Sequence, residues 1–497
     1  MNLCVGLGGA TDNACVALCA DGRVLAISEQ ERITRVRSAG FNRTGLPDEV
    51  LDALLRGAGR RREDVTSYAI GETSPAPDGV RLTKIDHHFA HACAAFLPSP
   101  FASATIVICD HESPEISVWD GVGTAITRVE WPWTGPGFAS VYTQSARALG
   151  FGVGGAEQRM EALARLAPSL RDEGVAALIR LDDDHLRLEP GWPSALAERI
   201  AGGGQSDRIA VAAAVQTRIS DLLVEFLTAI TRRMPANRHL CVGGSLCYNS
   251  HINSVVKGSG LFEDVFIPIN PGNAGLAVGT AMHAGGADRQ VISPFLGPSY
   301  QAEEIKATLD NCKLTYRWAS EAETIALAVE DLQRGRLVAW FDGSMEWGPR
   351  ALGARSIIAN PFAKYALENL NRFLKQREPW RGYALSGLES AVHEHFDGPR
   401  TSPFMECDYV PKQPEAFREI LPDLKAAVRV QTVGAGAPPR FQALLQAFGD
   451  ATGIPILVNT SFNGFREPII CSPRDAVRVF FGTGIDTLVV GHFVIRK

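Results

Sequence analysis

The stretch AWFDGSMEWGPRALGARSIIANP, from Ala339 to Pro361, constrains this chain more than any other. Its apolar lead-in, Leu337 to Phe341, predicts a buried strand. Gly343, Gly348 and Pro349 then turn the chain through a corner, with Arg350 just beyond it and Arg355 five residues on. A strand that stops at glycines can bring backbone amides and two guanidinium groups to one sheet edge. That arrangement suits a compact oxyanion, because arginine presents fixed forks of donors and glycine lets the backbone approach closely. On spacing alone, a helix N-terminus carrying two surface arginines fits as well.

With 497 residues, 45% of them apolar and 21% charged, the chain is long enough for two or three domains with sizeable cores. Lysine plus arginine total 49 against 55 acidic residues, and the net charge of -6 gives no reason to expect nucleic acid or an anionic membrane as partner. The start MNLCVGLGGATDNACVAL lacks a basic region ahead of a cleavable apolar core, and no apolar run approaches transmembrane length. A cytoplasmic enzyme is the expectation. The ten cysteines, Cys4, Cys15, Cys19, Cys93 and Cys109 among them, sit mostly in apolar segments without C-x-x-C spacing. They read as reduced core residues rather than disulfides or zinc ligands.

Met1 to Gly9 and Asn13 to Ser28 read as strands, with Asp21-Gly22 as a hairpin turn in the second run. A similar strand, acidic turn and strand recurs at Ala104 to Ile126, the first strand ending at Asp110. A doubled hairpin of this kind is what an actin/hexokinase-type nucleotide-binding fold would show. Ile209 to Met234 has helical periodicity and leads into the strand HLCVGG, where Gly243 and Gly244 form a candidate turn for phosphate approach. The pattern loosens between about 285 and 320, and a domain boundary is expected there. Beyond it, strands are expected at Leu337 to Phe341 and Ile456 to Asn459, with a closing strand at Thr487 to Ile495.

His87 and His91 are four apart, so on a helix they share one face and can reach a common point. With a carboxylate from elsewhere they would make a first-row metal site; without one they read as capping or core histidines.

MEWGPRALGARSIIANP resembles the carbamoyltransferases of antibiotic and nodulation-factor biosynthesis, the NodU/CmcH-type family. DHHFAHACAAF, NPGNAGLAVGTAM, KQREPWRGYALS and NTSFNGFREPIICSPRDA agree with that family, in its order and across nearly the whole chain. The resemblance implies an α/β protein with a large N-terminal actin/hexokinase-like, threonylcarbamoyl-transferase-like domain over residues 1–298. A C-terminal YrdC-like α/β domain that processes carbamoyl phosphate is implied over 299–497. It further implies iron, or another divalent metal, at His87, His91 and Asp110, and nucleotide contacts from Gly243, Gly244 and Asn273. Carbamoyl phosphate would be held by Arg350, Arg355, Lys375, Arg381, Arg429, Ser461 and Asn463. Arg377 lies in the same basic run, with Glu378 beside it, so a surface salt-bridge network is the other reading of that run.

Two positions depart from the family pattern. Gly272-Asn273-Ala274-Gly275 stands where the family carries a Gly-Asp-Ala-Gly turn, and an amide serves a hard cation less well than a carboxylate. Thr11-Asp12-Asn13 stands where the family reads His-Asp-Ala. Asp12 is then the candidate base, unless the acceptor is an amine needing less help or Asp12 only caps the turn.

The activity implied is ATP-dependent transfer of the carbamoyl group of carbamoyl phosphate, through carbamoyl adenylate, to a hydroxyl or amine of a small-molecule natural product. Arg350 and Lys375 would be catalytic beside Asp12, and ATP would carry Mg2+. A homodimer would be ordinary at this size. An actin-superfamily small-metabolite kinase, or a catalytically reduced nucleotide-binding homologue, are the competing expectations.

Overall fold

The computed structural model describes residues 2–71, 82–152, 154–182 and 185–497; Met1, the expected start of the first strand, lies outside them. The first sheet contains β1 (Leu3–Gly8), β2 (Cys15–Ala20), β3 (Arg23–Glu29), β4 (Ser67–Ile70) and β5 (Leu82–Lys84), in the order β3-β2-β1-β4-β5. The β2–β3 hairpin turns on Asp21 and Gly22, both at positive φ, which matches the right-handed twist of the flanking strands.

A second sheet contains β6 (Ser103–Cys109), β7 (Ile116–Val122) and β8 (Ala125–Val129). After the small hairpin β9 (Ile179–Asp182) and β10 (His185–Leu188), β11 (His239–Gly243) and β12 (Asp264–Phe266) complete it. Its order, β8-β7-β6-β11-β12, repeats the first sheet, with the same two antiparallel and two parallel pairings. The duplication hinted at by two hairpins is therefore complete, and it gives the expected actin/hexokinase-like arrangement.

The helix after each sheet crosses to the other one. Helix His87–Phe96, following β5, packs on β6 and β11, while helix Leu276–Ala284, following β12, packs on β1 and β2. The two helices touch where Gly279 meets the backbone of Ala90 and Ala94; a Cβ there would lie 2.4 Å from the Ala90 carbonyl oxygen. This crossing turns His87 and His91 toward Asp110 at the end of β6. A long helix, Gln205–Arg233, buries an apolar face against helices Ala156–Ala164 and Ser250–Gly258.

The C-terminal part is built on one mixed sheet of ten strands. In chain order these are β13 (Arg317–Trp318), β14 (Val338–Phe341), β15 (Arg355–Ala359), β16 (Ala384–Leu388), β17 (Phe396–Asp397), β18 (Cys407–Pro411), β19 (Val428–Val433), β20 (Ile456–Ser461), β21 (Thr487–Val490) and β22 (Phe493–Arg496). They lie in the order β13-β22-β21-β14-β15-β20-β16-β19-β18-β17. The single closing strand expected at Thr487 to Ile495 is instead the β21–β22 hairpin. Gly491, at φ 55°, reverses the chain, and Gly491-His492 is the only break in the apolar run between Val490 and Phe493.

Among the described residues no strand pairing crosses residue 298, and the coil there docks on the Gly-Pro-Arg corner through Gly297, Pro298 and Met345. All ten cysteines are free and nine are buried, as a reduced core requires. No described helix is long and apolar enough to cross a membrane.

Candidate functional site

The β14–β15 connection folds around a buried carboxylate. Glu346 Oε1 accepts the backbone N–H groups of Leu352, Ala354 and Arg355 at 2.8–3.2 Å, so these amides bind a resident anion rather than a visiting one. Of the two arginines, Arg350 projects into a cavity of about 160 Å³ also lined by Arg165, Arg377, Arg381 and Arg429, with Asn459 and Ser461 at its edge. Arg355 turns the other way and is fully buried. Its N–H groups reach the carbonyls of Asp342, Gly343 and Pro298, and its plane lies 3.6 Å from the ring of Phe341, its cross-strand partner. The structure therefore separates the pair that spacing had put together: Arg355 locks the corner and Arg350 faces the cavity.

The cavity is strongly cationic. Burial, and then the charge of Arg429, bring the Arg350 guanidinium down to about 9. Among the described residues it has no hydrogen-bond or ion-pair partner. Arg377 stacks 3.9 Å from the ring of Tyr383 and is brought down to about 10, burial being the main cause. Arg381 has only a long pairing, 3.8 Å, to Glu378. Five arginines around so small a space repel one another unless an anion joins them.

One carboxylate already does so in part. Glu161, on helix Ala156–Ala164, accepts Arg429 Nη2 at 2.9 Å and pairs with Arg165, while the Ser250 amide and hydroxyl complete its shell at 2.9 and 2.8 Å. Burial acts to raise its pKa; Arg165, Arg429 and Arg350 outweigh that and hold it to about 2. Asp408 meets Arg165 at 2.8 Å and Ser250 Oγ at 2.6 Å. Neither Glu161 nor Asp408 was anticipated. The available signal was the Glu161/Arg165 pair at i,i+4, on a helix opened by Gly154 and Gly155.

Lys375, expected to grip the anion, sits behind this wall. Its Nζ donates to the Ser461 and Asn463 carbonyls at 2.6 and 3.3 Å and to Asn463 Oδ1 at 2.5 Å. It closes the NTSFN turn and so places Ser461 at the cavity edge. Burial, then Arg377, bring it down to about 7.

The second constellation lies at the end of β6. His87 Nδ1 is 3.1 Å from the Gly71 carbonyl, which only accepts, so Nδ1 carries the proton and Nε2 faces Asp110 Oδ2 at 2.9 Å. Two acceptors opposed at that distance call for a proton or a cation between them. His91 Nε2 is buried, 3.4 Å from the same oxygen, and has no hydrogen-bond partner among the described residues. The three ligand atoms fall within 4.8 Å of one another, so the residues present fit a divalent metal. Asn273, on a short turn packed against the histidine helix, also leaves its Oδ1 buried and unpaired.

Gly244, at φ 91°, passes so close to β6 that a Cβ would lie 2.2 Å from the Cys109 carbonyl oxygen. This approach lets the Ser245 amide donate to Asp110 Oδ1 at 3.0 Å. From there a second cavity of about 240 Å³ extends past His111, Thr143, Tyr142 and Tyr248 to Gln158 and Glu161, which also line the arginine cavity. Asp12 is exposed on the β1–β2 loop and lines neither cavity.

Profiles described as Carbamoyltransferase N-terminus and Carbamoyltransferase C-terminus match residues 194–282 and 329–497; His87, His91 and Asp110 lie outside both. Nodulation protein NolO of Bradyrhizobium diazoefficiens is 30% identical over 437 residues, covering 83% of this chain and 79% of its own. Nodulation protein NolNO of Sinorhizobium fredii is 28% identical over 98% of this chain and 79% of its own. The 3'-hydroxymethylcephem-O-carbamoyltransferase of Amycolatopsis lactamdurans is 30% identical over 58% of this chain and 54% of its own.

Proposed function

This chain belongs to the carbamoyltransferase family, and from that premise we propose that it transfers the carbamoyl group of carbamoyl phosphate, through carbamoyl adenylate, to a hydroxyl or amine of a small-molecule natural product. The supporting observation is Arg350, an unpartnered guanidinium in a cavity of arginines that shares a wall with the second cavity. Arg350, Arg377, Arg381 and Arg429 take the phosphate of carbamoyl phosphate, with Ser461 at the edge and Asn463 and Lys375 holding the turn behind it. Arg355 supports the corner.

Water opens carbamoyl phosphate to carbamate and phosphate. A carbamate oxygen then attacks the α-phosphorus of ATP, carried with Mg2+, and pyrophosphate leaves. The acceptor oxygen or nitrogen attacks the carbamoyl carbon, AMP departs, and the acceptor proton goes to a base; Asp12 is proposed for that role with the acceptor entering at the β1–β2 loop, outside both cavities. Carbamate decomposes in water, so a shared wall between the two cavities serves the chemistry. Gly243, Gly244 and Asn273 border the nucleotide end.

His87, His91 and Asp110 would hold a divalent cation, Fe2+ in this reading, which supplies Lewis acidity when bound. Residues 299–497 supply most of the carbamoyl phosphate contacts and residues 1–298 the nucleotide and metal contacts, with Glu161 and Arg165 of the first part completing the arginine cavity. The reaction is placed in the cytoplasm, and the chain as a homodimer.

Incubation with ATP and carbamoyl phosphate tests the proposal. Pyrophosphate release that requires carbamoyl phosphate is the expected result. ADP formed only with an acceptor would make the chain a kinase, and no product at all would leave a nucleotide-binding homologue.

A further inference from the structure

The peptide planes on both sides of Gly348 are gripped by side chains from the far end of the chain. Glu29, the last residue of β3, accepts the Gly348 N–H at 2.5 Å, and Arg32 Nη2 donates to the Gly348 carbonyl at 2.8 Å. Both side chains are about 5% exposed and face each other at 3.4 Å. Glu31 adds a 3.1 Å pairing to Arg32. Gly348 is at φ 94°, a left-handed conformation that favours glycine, and a Cβ there would lie 2.9 Å from Ile269 Cγ2.

A buried ion pair is a costly way to hold two domains together, since apolar side chains of similar volume would serve as well or better. What an ion pair does that they cannot is to fix one N–H and one C=O in direction. With the plane before Gly348 set by Glu29, the plane after it set by Arg32, and the next φ locked by Pro349, the backbone delivers Arg350 to the cavity with little freedom left. Arg350 itself has no described partner to hold it.

Resting on the carbamoyl phosphate reading above, we propose that Glu29 and Arg32 are positioning residues: they set Arg350 for the anion from across the N-terminal domain. The same short segment reaches a second loop of the site, since Arg35 donates to the Pro468 and Ile469 carbonyls just beyond the NTSFN turn. The segment Glu29 to Arg35 thus holds both the corner that carries Arg350 and the stretch that follows the NTSFN turn.

The test compares Glu29→Ala, Glu29→Gln and Arg32→Met in the full chain by three readouts: melting temperature, KM for carbamoyl phosphate against KM for ATP, and titration with inorganic phosphate. Glu29→Gln retains an acceptor for the Gly348 amide and so guards against simple misfolding. The expected result is a rise of tenfold or more in both KM for carbamoyl phosphate and phosphate Kd for Glu29→Ala and Arg32→Met. KM for ATP should stay within twofold, and Glu29→Gln should recover most of the loss. Equal losses toward both substrates in step with melting temperature, or unchanged phosphate affinity, would overturn the assignment. A wild type that binds phosphate yet never releases pyrophosphate would sink the parent reading alone, and the phosphate titrations would still decide this one.

Discussion

Glu161 and Arg429 come from opposite halves of the chain and meet at 2.9 Å in the wall that the two cavities share. Their contact joins the duplicated N-terminal sheets to the ten-stranded sheet at the point where a small anion would sit. The site is therefore an interface, and neither half contains it alone.

Arg350 and Arg355 have opposite surroundings, so their substitutions should fail in opposite ways. Removing a charge-assisted contact to an anion typically costs about 1.5–3 kcal/mol, roughly 10- to 100-fold in affinity. Arg350→Ala should therefore lower kcat/KM for carbamoyl phosphate by that factor at unchanged melting temperature, and leave preformed carbamoyl adenylate a competent donor. Arg355→Met strands the carbonyls of Asp342, Gly343 and Pro298 in the core. It should lower the melting temperature before any effect on substrate is seen. Thermal melts beside steady-state kinetics of both variants check this, and a stable Arg355→Met with a selective carbamoyl phosphate defect would reverse the assignment.

Lys375 should make the proposed carbamoyl phosphate step pH-dependent. Its folded pKa of about 7 lies below the roughly 10.4 of a free lysine. Between those values the unfolded chain binds the extra proton, so this residue makes the fold more stable as pH rises from about 7 toward 10. Anion binding moves the other way, because the charge behind Ser461 disappears over the same rise. KM for carbamoyl phosphate should increase as pH is raised through about 7, whereas Lys375→Met should start high and stay flat. A wild-type profile that is level between pH 6 and 8.5 would remove Lys375 from the electrostatics of the site.

Metal content separates the histidine cluster from ordinary core histidines. Protein purified without chelator should carry close to one divalent ion per chain, and His91→Ala should lose it, since among the described residues His91 Nε2 makes no hydrogen bond and lies in ligand range of His87 and Asp110. Asn273→Asp should bind the metal at least several-fold tighter, by placing a carboxylate on the turn that packs against the histidine helix. Elemental analysis and chelator competition measure both. Equal metal content in wild type and His91→Ala would assign the cluster to hydrogen bonding.

What was legible in the sequence followed local chemistry. Asp21-Gly22 announced its hairpin, the Ile209 to Met234 periodicity announced its helix, and the i,i+4 spacing of His87 and His91 put both on one helical face, while Asp110 as their partner came from the family resemblance alone. Side-chain direction beyond a corner was not legible. Arg350 and Arg355 share a motif, yet β15 begins at Arg355, and strand pairing places it on the same face as Phe341, turned away from the cavity. Glu161, Asp408, Glu29 and Arg32 were missed for a related reason. Each acts on a partner more than two hundred residues away, and no short window of sequence reports such a meeting.

Glu161→Gln tests whether the shared wall is tuned by charge. The substitution keeps shape and one acceptor oxygen but leaves Arg165 and Arg429 facing a neutral amide. Breaking a buried pair costs about 3–5 kcal/mol, and here Asp408, 2.8 Å from Arg165, should offset part of that. The variant should melt earlier. It should also lose an acid limb: with its pKa held to about 2, below the roughly 4.3 of a free glutamate, Glu161 contributes stability above about pH 4 that is lost as pH falls toward 2. Binding should respond with the opposite sign, because a cavity short of one negative charge attracts an anion more strongly. Inorganic phosphate is expected to bind several-fold tighter to Glu161→Gln than to wild type at pH 7. If it binds more weakly, Glu161 orients Arg429 and Arg165 for the ligand instead of competing with it, and the net positive charge of the cavity is not what draws the anion in.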